Sequence, residues 1–86
     1  MSYKIVVKKS AAKEIEALPT KILPQVTKAI YNLADTPRPQ GCKKLKGSKE
    51  NLWRIRIGDY RVVYIIDDSI RIVDVQKVGH RKDVYQ

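Results

Sequence analysis

Eighteen Lys and Arg against nine Asp and Glu leave this 86-residue chain with a formal charge of +9, which fits a nucleic-acid binder or a protein with an acidic partner without choosing between them. The length allows one domain over residues 1–86 and excludes two cores, and 43% hydrophobic residues exclude a disordered chain. A single cysteine, Cys42, excludes an internal disulfide and has no Cys or His neighbour at metal-ligand spacing; no apolar run approaches the ~20 residues of a membrane span, and the N-terminus lacks a signal peptide's apolar core, so a cytoplasmic domain is expected.

Tyr3 to Lys8 alternates, with Tyr3, Ile5 and Val7 on one side, which predicts a half-buried strand near a sheet edge. Ser10 is the expected N-cap of a first helix in which Ala11, Ile15 and Leu18 recur at helical spacing and which Pro19 ends. Thr20 is expected to cap a second, with Ile22, Leu23, Val26, Ile30 and Leu33 as its stripe and Pro24 in its first turn, where it costs at most one intrahelical bond. So short a link makes the helices antiparallel neighbours, and their single stripes together cover one side of something flat. Asp35 to Gly41 is a turn-rich connector, and Cys42 to Asn51 reads as a loop tethered by Leu45 among Lys43, Lys44, Lys46 and Lys49.

From Trp53 to Tyr64 the chain alternates with period two on both sides of Gly58-Asp59, the pattern of a hairpin with a two-residue turn. Ile57 then faces Tyr60, Arg56 faces Arg61, and Arg54 faces Val63. One face carries Trp53, Ile55, Ile57, Tyr60, Val62 and Tyr64, enough apolar surface to seat the helices. The other carries Arg54, Arg56 and Arg61. Like charges opposed across a ladder destabilise a sheet, so this convergence points to an anion site, and phosphate is the natural ligand of a planar guanidinium fork. The segment from Cys42 to Arg61 alone has a net charge of +5, which makes the lysine loop part of the same positive surface.

Asp67-Asp68-Ser69 signals a second turn, and Ile70 to Val78 a further antiparallel strand that sets Asp74 beside the arginine face, within reach of Arg61. Gly79 is expected to release the backbone from the sheet into a tail with His80, Arg81 and Tyr85. The predicted fold class is α+β: an N-terminal strand, an antiparallel two-helix hairpin, then a three-stranded antiparallel meander, with the helices packed on one face of the sheet.

Leu45-Lys46-Gly47, Leu52-Trp53-Arg54-Ile55-Arg56, Gly58-Asp59-Tyr60-Arg61-Val62-Val63-Tyr64 and Val78-Gly79-His80-Arg81-Lys82-Asp83-Val84-Tyr85, in this order over nearly the whole chain, resemble the RelE/ParE superfamily of bacterial toxins. The resemblance implies a RelE-like fold and the activity of RelE-type members: endoribonucleases, independent of metals and cofactors, that cut messenger RNA in the ribosomal A site. It also implies the partners, namely messenger RNA, ribosomal RNA, and an antitoxin encoded beside the toxin that holds it inactive in a hetero-oligomer. The family's basic pair falls on Arg54 and Arg56, its hairpin arginine on Arg61, its C-terminal arginine on Arg81 and its terminal tyrosine on Tyr85; Lys43, Lys44, Lys46 and Lys49 extend the RNA-binding surface. The best-known members have lysines where Arg54 and Arg56 stand, and some have lysine at His80.

That departure bears on mechanism. In the family's reaction the ribose 2′-OH attacks the adjacent phosphate, which requires a group to take a proton and groups to hold the phosphorane charge. Arginine keeps its proton in proteins, so the four arginines are assigned to phosphate binding and transition-state charge. Proton transfer falls to Tyr85, for which stacking on a base is the alternative role, or to His80, whose side-chain type exchanges protons near neutrality. Two other readings stay open. One is a ParE-like toxin that binds DNA gyrase without nuclease chemistry; the other is a non-toxic module whose basic face docks an acidic helix. Val63, Ile65, Ile70 and Ile72, on or near the arginine face, would be covered by a partner helix or by the C-terminal segment.

Overall fold

The computed structural model describes residues 2–45 and 51–84, with Asp83 and Val84 described by backbone alone. The elements run β1 (Lys4–Val7), α1 (Lys9–Glu16), α2 (Leu23–Asn32), β2 (Lys43–Lys44), β3 (Leu52–Ile57), β4 (Tyr60–Asp67), β5 (Ile72–His80) and α3 (Arg81–Val84). The five strands form one mixed sheet in the order β1-β5-β4-β3-β2, in which β1 runs parallel to β5 and every other pair is antiparallel. This is the α+β arrangement the pattern predicted, with β1 at a sheet edge.

The core lies between this sheet and the two longer helices. Ile55, Val62, Tyr64, Ile66, Val73, Val75 and Val78 pack against Ala11 of α1 and Val26, Ile30 and Leu33 of α2 and its end. The helix stripes are the predicted ones except for Leu23, which is half-buried outside this cluster. Ala11 has no exposed surface, so its methyl side chain is what lets α1 lie close on β5. Pro24 falls in the first turn of α2, where its missing N–H costs nothing.

Several local expectations are corrected. Ser10 lies inside α1 rather than capping it. The Lys8 amide still bonds Val75 O at 2.9 Å, prolonging the β1–β5 ladder, while the Lys8 carbonyl already accepts the first helical bond from Ala12, so strand passes into helix with no room for a capping side chain. Thr20 does not cap α2 either: the amides of Ile22 and Leu23 both bond Pro19 O, and Ile22 holds the cap position without a side-chain bond. Lys43–Lys44, read as loop, is a short strand paired with Arg54 and Trp53.

The second turn occupies residues 68–71, so β5 starts at Ile72 and Ile70 is exposed in the turn, not on a sheet face. The Asp67 carboxylate shapes this turn by accepting from Ser69 Oγ at 2.6 Å and from the Ser69 and Ile70 amides, and the Ser69 hydroxyl and Ile70 amide hold it below the usual carboxylate pKa range. Gly79 does not leave the sheet. It pairs with Arg61, and the strand continues through His80.

Candidate functional site

The β3–β4 register is the one the alternation predicted: Ile57 opposite Tyr60, Arg56 opposite Arg61, Arg54 opposite Val63. Gly58 takes φ 60 at the first turn position, the conformation that lets a two-residue hairpin turn match the strand twist. Because Ile55, Val62 and Tyr64 are in the helix-packed core, Arg54, Arg56 and Arg61 all lie on the opposite face.

The three arginines are held differently. Arg56 is exposed. Arg61 is 7% exposed, and its Nη1 donates to the carbonyls of Gly58 and Tyr60 at 3.1 Å each, so the hairpin turn itself fixes the guanidinium. Arg54 is half-buried, with Nε and Nη1 shielded from solvent and without a hydrogen-bond partner. None of the three forms an ion pair with a described residue.

Asp74 does not orient Arg61. It pairs with Ile65, while Arg61 stands opposite Gly79, which offers no side chain. The cause is the four-residue turn together with a bulge, since Val63 pairs Lys77 but Tyr64 pairs Val75 and Gln76 is left between them. The bulge reverses the alternation along β5, so Val75 and Val78 both reach the core and Lys77 joins the arginine face. The sequence reading missed Lys77. The signal was Val75 and Val78 themselves, two apolar residues three apart in a strand, which share a face only across a bulge.

Lys43, opposite Arg54, belongs to the same face; Lys44, opposite Trp53, belongs to the helix face; Lys46 and Lys49 lie outside the described residues. Because β2 begins opposite Arg54, and the Leu45 amide beyond it bonds Leu52 O, the stretch of β3 left as a sheet edge is Ile55 to Ile57. There Arg54, Ile55, Arg56 and Lys43 line an open cleft of about 470 Å³ with Pro39 to Gly41 and with Ala29 and Asn32 of α2.

The connector wall of that cleft is clamped. Arg38 donates through Nη2 to Asp68 Oδ2 at 2.8 Å and through Nη1 to Oδ1 at 3.3 Å, Tyr3 OH donates to Asp68 Oδ1 at 2.6 Å, and the Arg38 guanidinium lies 5.0 Å from the Trp53 ring centroid. The Arg38 and Tyr3 hydrogen bonds pull the Asp68 carboxyl down to about 2. Tyr64, wholly buried, donates to Pro37 O at 2.8 Å, and burial raises its pKa well above the ordinary value.

His80 does not join the arginines. It pairs with Tyr60 on the helix face, the two rings edge to face at 5.5 Å, beside Glu14, Leu18 and Pro19. Its Nδ1 accepts the Lys82 amide at 3.3 Å, as a cap at the start of α3. Arg81 opens α3 and its amide donates to Asp59 O at 2.8 Å, which ties α3 to the hairpin turn next to Arg61. Tyr85 lies outside the described residues.

A family model described as the ParE toxin of type II toxin–antitoxin system, parDE, matches residues 5–85. The putative toxin RelE1 of Methanocaldococcus jannaschii is 32% identical over 100% of this chain and 98% of its own, and toxin RelE of Mycobacterium tuberculosis is 33% identical over 98% and 87%. Among solved structures, the M. tuberculosis toxin–antitoxin complex RelBE2 superposes with a TM-score of 0.83 at 28% identity, covering 94% of this chain and 100% of that one. The archaeal RelE–RelB complex from Pyrococcus horikoshii gives 0.82 at 26% identity, over 98% and 100%.

Proposed function

Since the chain belongs to the RelE/ParE family of type II toxin–antitoxin toxins, we propose that it is a RelE-type endoribonuclease that cuts messenger RNA in the ribosomal A site and is neutralised by a RelB-like antitoxin. The observation that carries this reading is the placement of Arg54, Arg56 and Arg61 on one sheet face, two of them directly opposed, with no described carboxylate paired to them.

In the proposed reaction the ribose 2′-oxygen attacks the adjacent phosphorus and the bond to the 5′-oxygen breaks, leaving a 2′,3′-cyclic phosphate and a 5′-hydroxyl. Negative charge grows on the non-bridging oxygens. Guanidinium groups already held in place stabilise it without reorganising, and removing one such donor typically costs about 10²–10³ in rate. Arg61, locked by two backbone carbonyls, fits this role, with the exposed Arg56 across from it; Arg54 adds positive charge on the same face, and Arg81 from the start of α3. None of these exchanges a proton, so Tyr85 is the side chain assigned to proton transfer. The site acts without a cofactor in this reading.

RelB-type partners in the solved relatives support a hetero-oligomer with an antitoxin. Half-buried Leu52, Ile65 and Ile72 share the arginine face and give such a partner an apolar footing. The partner blocks the site by occupying it or by displacing the segment from Arg81 to Tyr85. A complex that retained full cutting would refute this.

The matched family description favours a second reading, a ParE-like toxin that binds DNA gyrase. The curated relatives named RelE favour the nuclease. Induced cells decide between them: arrest of translation supports cleavage, arrest of replication the gyrase reading. Arg61→Ala, Arg81→Ala and Tyr85→Phe, assayed singly on ribosome-bound message, test the site, and undiminished cutting by all three ends the nuclease assignment.

A further inference from the structure

We propose that the RNA backbone crosses the sheet at right angles to its strands along the row Lys43–Arg54–Val63–Lys77, making Lys77 a phosphate-binding residue on the far side of the site from Lys43. This rests on the nuclease reading and adds to it a path and a residue.

The row follows from three pairings. Lys43 stands opposite Arg54, Arg54 opposite Val63, and Val63 opposite Lys77, so the four side chains occupy one line across β2, β3, β4 and β5 on one face. Neighbouring strands lie about 4.8 Å apart, so the line from β2 to β5 is roughly 14 Å long. That is about the span of two nucleotides of extended single strand, which carries one charge per phosphate.

Cations stand at both ends of this line and at its second position. The third is Val63, 6% exposed and outside the helix-packed core, an apolar floor between charges. The opposed pair Arg56 and Arg61 lies one repeat further towards the hairpin turn on the same face, with Gly79 opposite Arg61. A backbone laid along the row therefore presents one phosphate edge to that pair while Lys43 and Lys77 hold the phosphates to either side. Lys77 is half-buried and forms no ion pair with a described residue, so its charge is available to a ligand. Only the bulge at Gln76 puts it there; an unbroken ladder would turn Lys77 towards the helices.

The test is the salt dependence of binding of a short single-stranded oligoribonucleotide, with a non-cleavable 2′-O-methyl linkage, to the full chain. Each phosphate contact on a single strand contributes about 0.7 to the slope of log affinity against log salt. Lys77→Ala and Lys43→Ala are each expected to lower the slope by about 0.7 and the affinity about three- to tenfold, the double variant by twice that slope, and Lys77→Arg to restore it. Lys28→Ala, an exposed lysine of α2, serves as the control and leaves the slope unchanged. A Lys77→Ala slope equal to that of the natural chain overturns the path, as does a Lys77→Ala loss no greater than the control's. Failure of the nuclease reading shows separately, as a natural chain that leaves translated message uncut.

Discussion

Arg56 and Arg61 face each other, yet replacing them by threonine should move stability in opposite directions. Two unit charges roughly 7 Å apart in a water-like medium repel by about 0.6 kcal/mol. Screening at physiological salt, with a Debye length of about 8 Å, cuts that to about 0.25 kcal/mol. The Arg56 side chain is exposed and makes no hydrogen bond to a described residue, so Arg56→Thr removes the repulsion at no other loss, and the β-branched residue adds a few tenths of a kcal/mol in a strand. The variant should gain about 0.5–1 kcal/mol at low salt, raising Tm by about 3–6 °C for a domain of this size.

Arg61→Thr relieves the same repulsion but strips two charged hydrogen bonds from the carbonyls of Gly58 and Tyr60 at a 7% exposed position. Their loss costs about 2 kcal/mol, so the net change is a destabilisation of about 1–1.5 kcal/mol. Thermal unfolding at about 0.01 M and about 1 M salt, where the Debye length falls from about 30 Å to about 3 Å, measures both signs. If Arg56→Thr proved less stable than the natural chain, or if its advantage did not shrink at high salt to the few tenths of a kcal/mol that threonine adds in a strand, the like-charge argument would be wrong. Both variants should cut ribosome-bound message more slowly. A more stable, less active Arg56→Thr marks a charge that the fold does not need.

Tyr64→Phe keeps the ring and deletes the donor to Pro37 O, leaving that carbonyl without its bond; a loss of about 1–2 kcal/mol in urea unfolding is expected. Asp68 titrates lower in the folded chain than in the unfolded one, so its contribution is present above the unfolded carboxylate pKa of about 3.9 and lost as pH falls through the folded value of about 2. The Tm gap between the natural chain and Asp68→Asn should therefore hold steady down to about pH 4 and close towards pH 2. His80→Asn, which keeps a capping acceptor for Lys82, should cut message within about twofold of the natural chain, whereas loss of a proton-transfer group costs about 10²–10⁴.

The arginine face could be read from sequence because alternation on both arms of a two-residue turn leaves one register, and a slip by one residue would have driven Arg54 and Arg56 into the core. The helix stripes were legible for the same reason of period. What escaped was structure fixed by distant partners. Lys43–Lys44 is a strand only because Arg54 and Trp53 offer a ladder edge, and β1 lies beside β5, whose pairing no local pattern encodes. Caps failed where backbone carbonyls of Lys8 and Pro19 did the work expected of Ser10 and Thr20. His80 next to Arg81 in sequence reads as one site with it. A strand that continues one residue past Gly79 sends the imidazole to the other face.

The two faces of the sheet have been shaped by different demands. On the helix side every strand residue of the core is apolar, and the interior tyrosine has its hydrogen bond. On the arginine side stand an opposed pair of like charges, a buried guanidinium, and an arginine with two shielded nitrogens that bond nothing. The opposed charges and the two unsatisfied nitrogens lower stability in the isolated chain, whereas the buried Arg61 guanidinium is held by its two carbonyl bonds. Among the described residues these arginines concentrate on one face, the distribution expected when an anionic ligand supplies their partners; Asp74 Oδ1, also buried without a bond, lies further along that face opposite Ile65. Arg54 shows the missing partner most plainly: its Nε and Nη1 are shielded by protein and bond nothing, so a phosphate that reaches them once that cover moves gains charge-assisted bonds the free chain lacks.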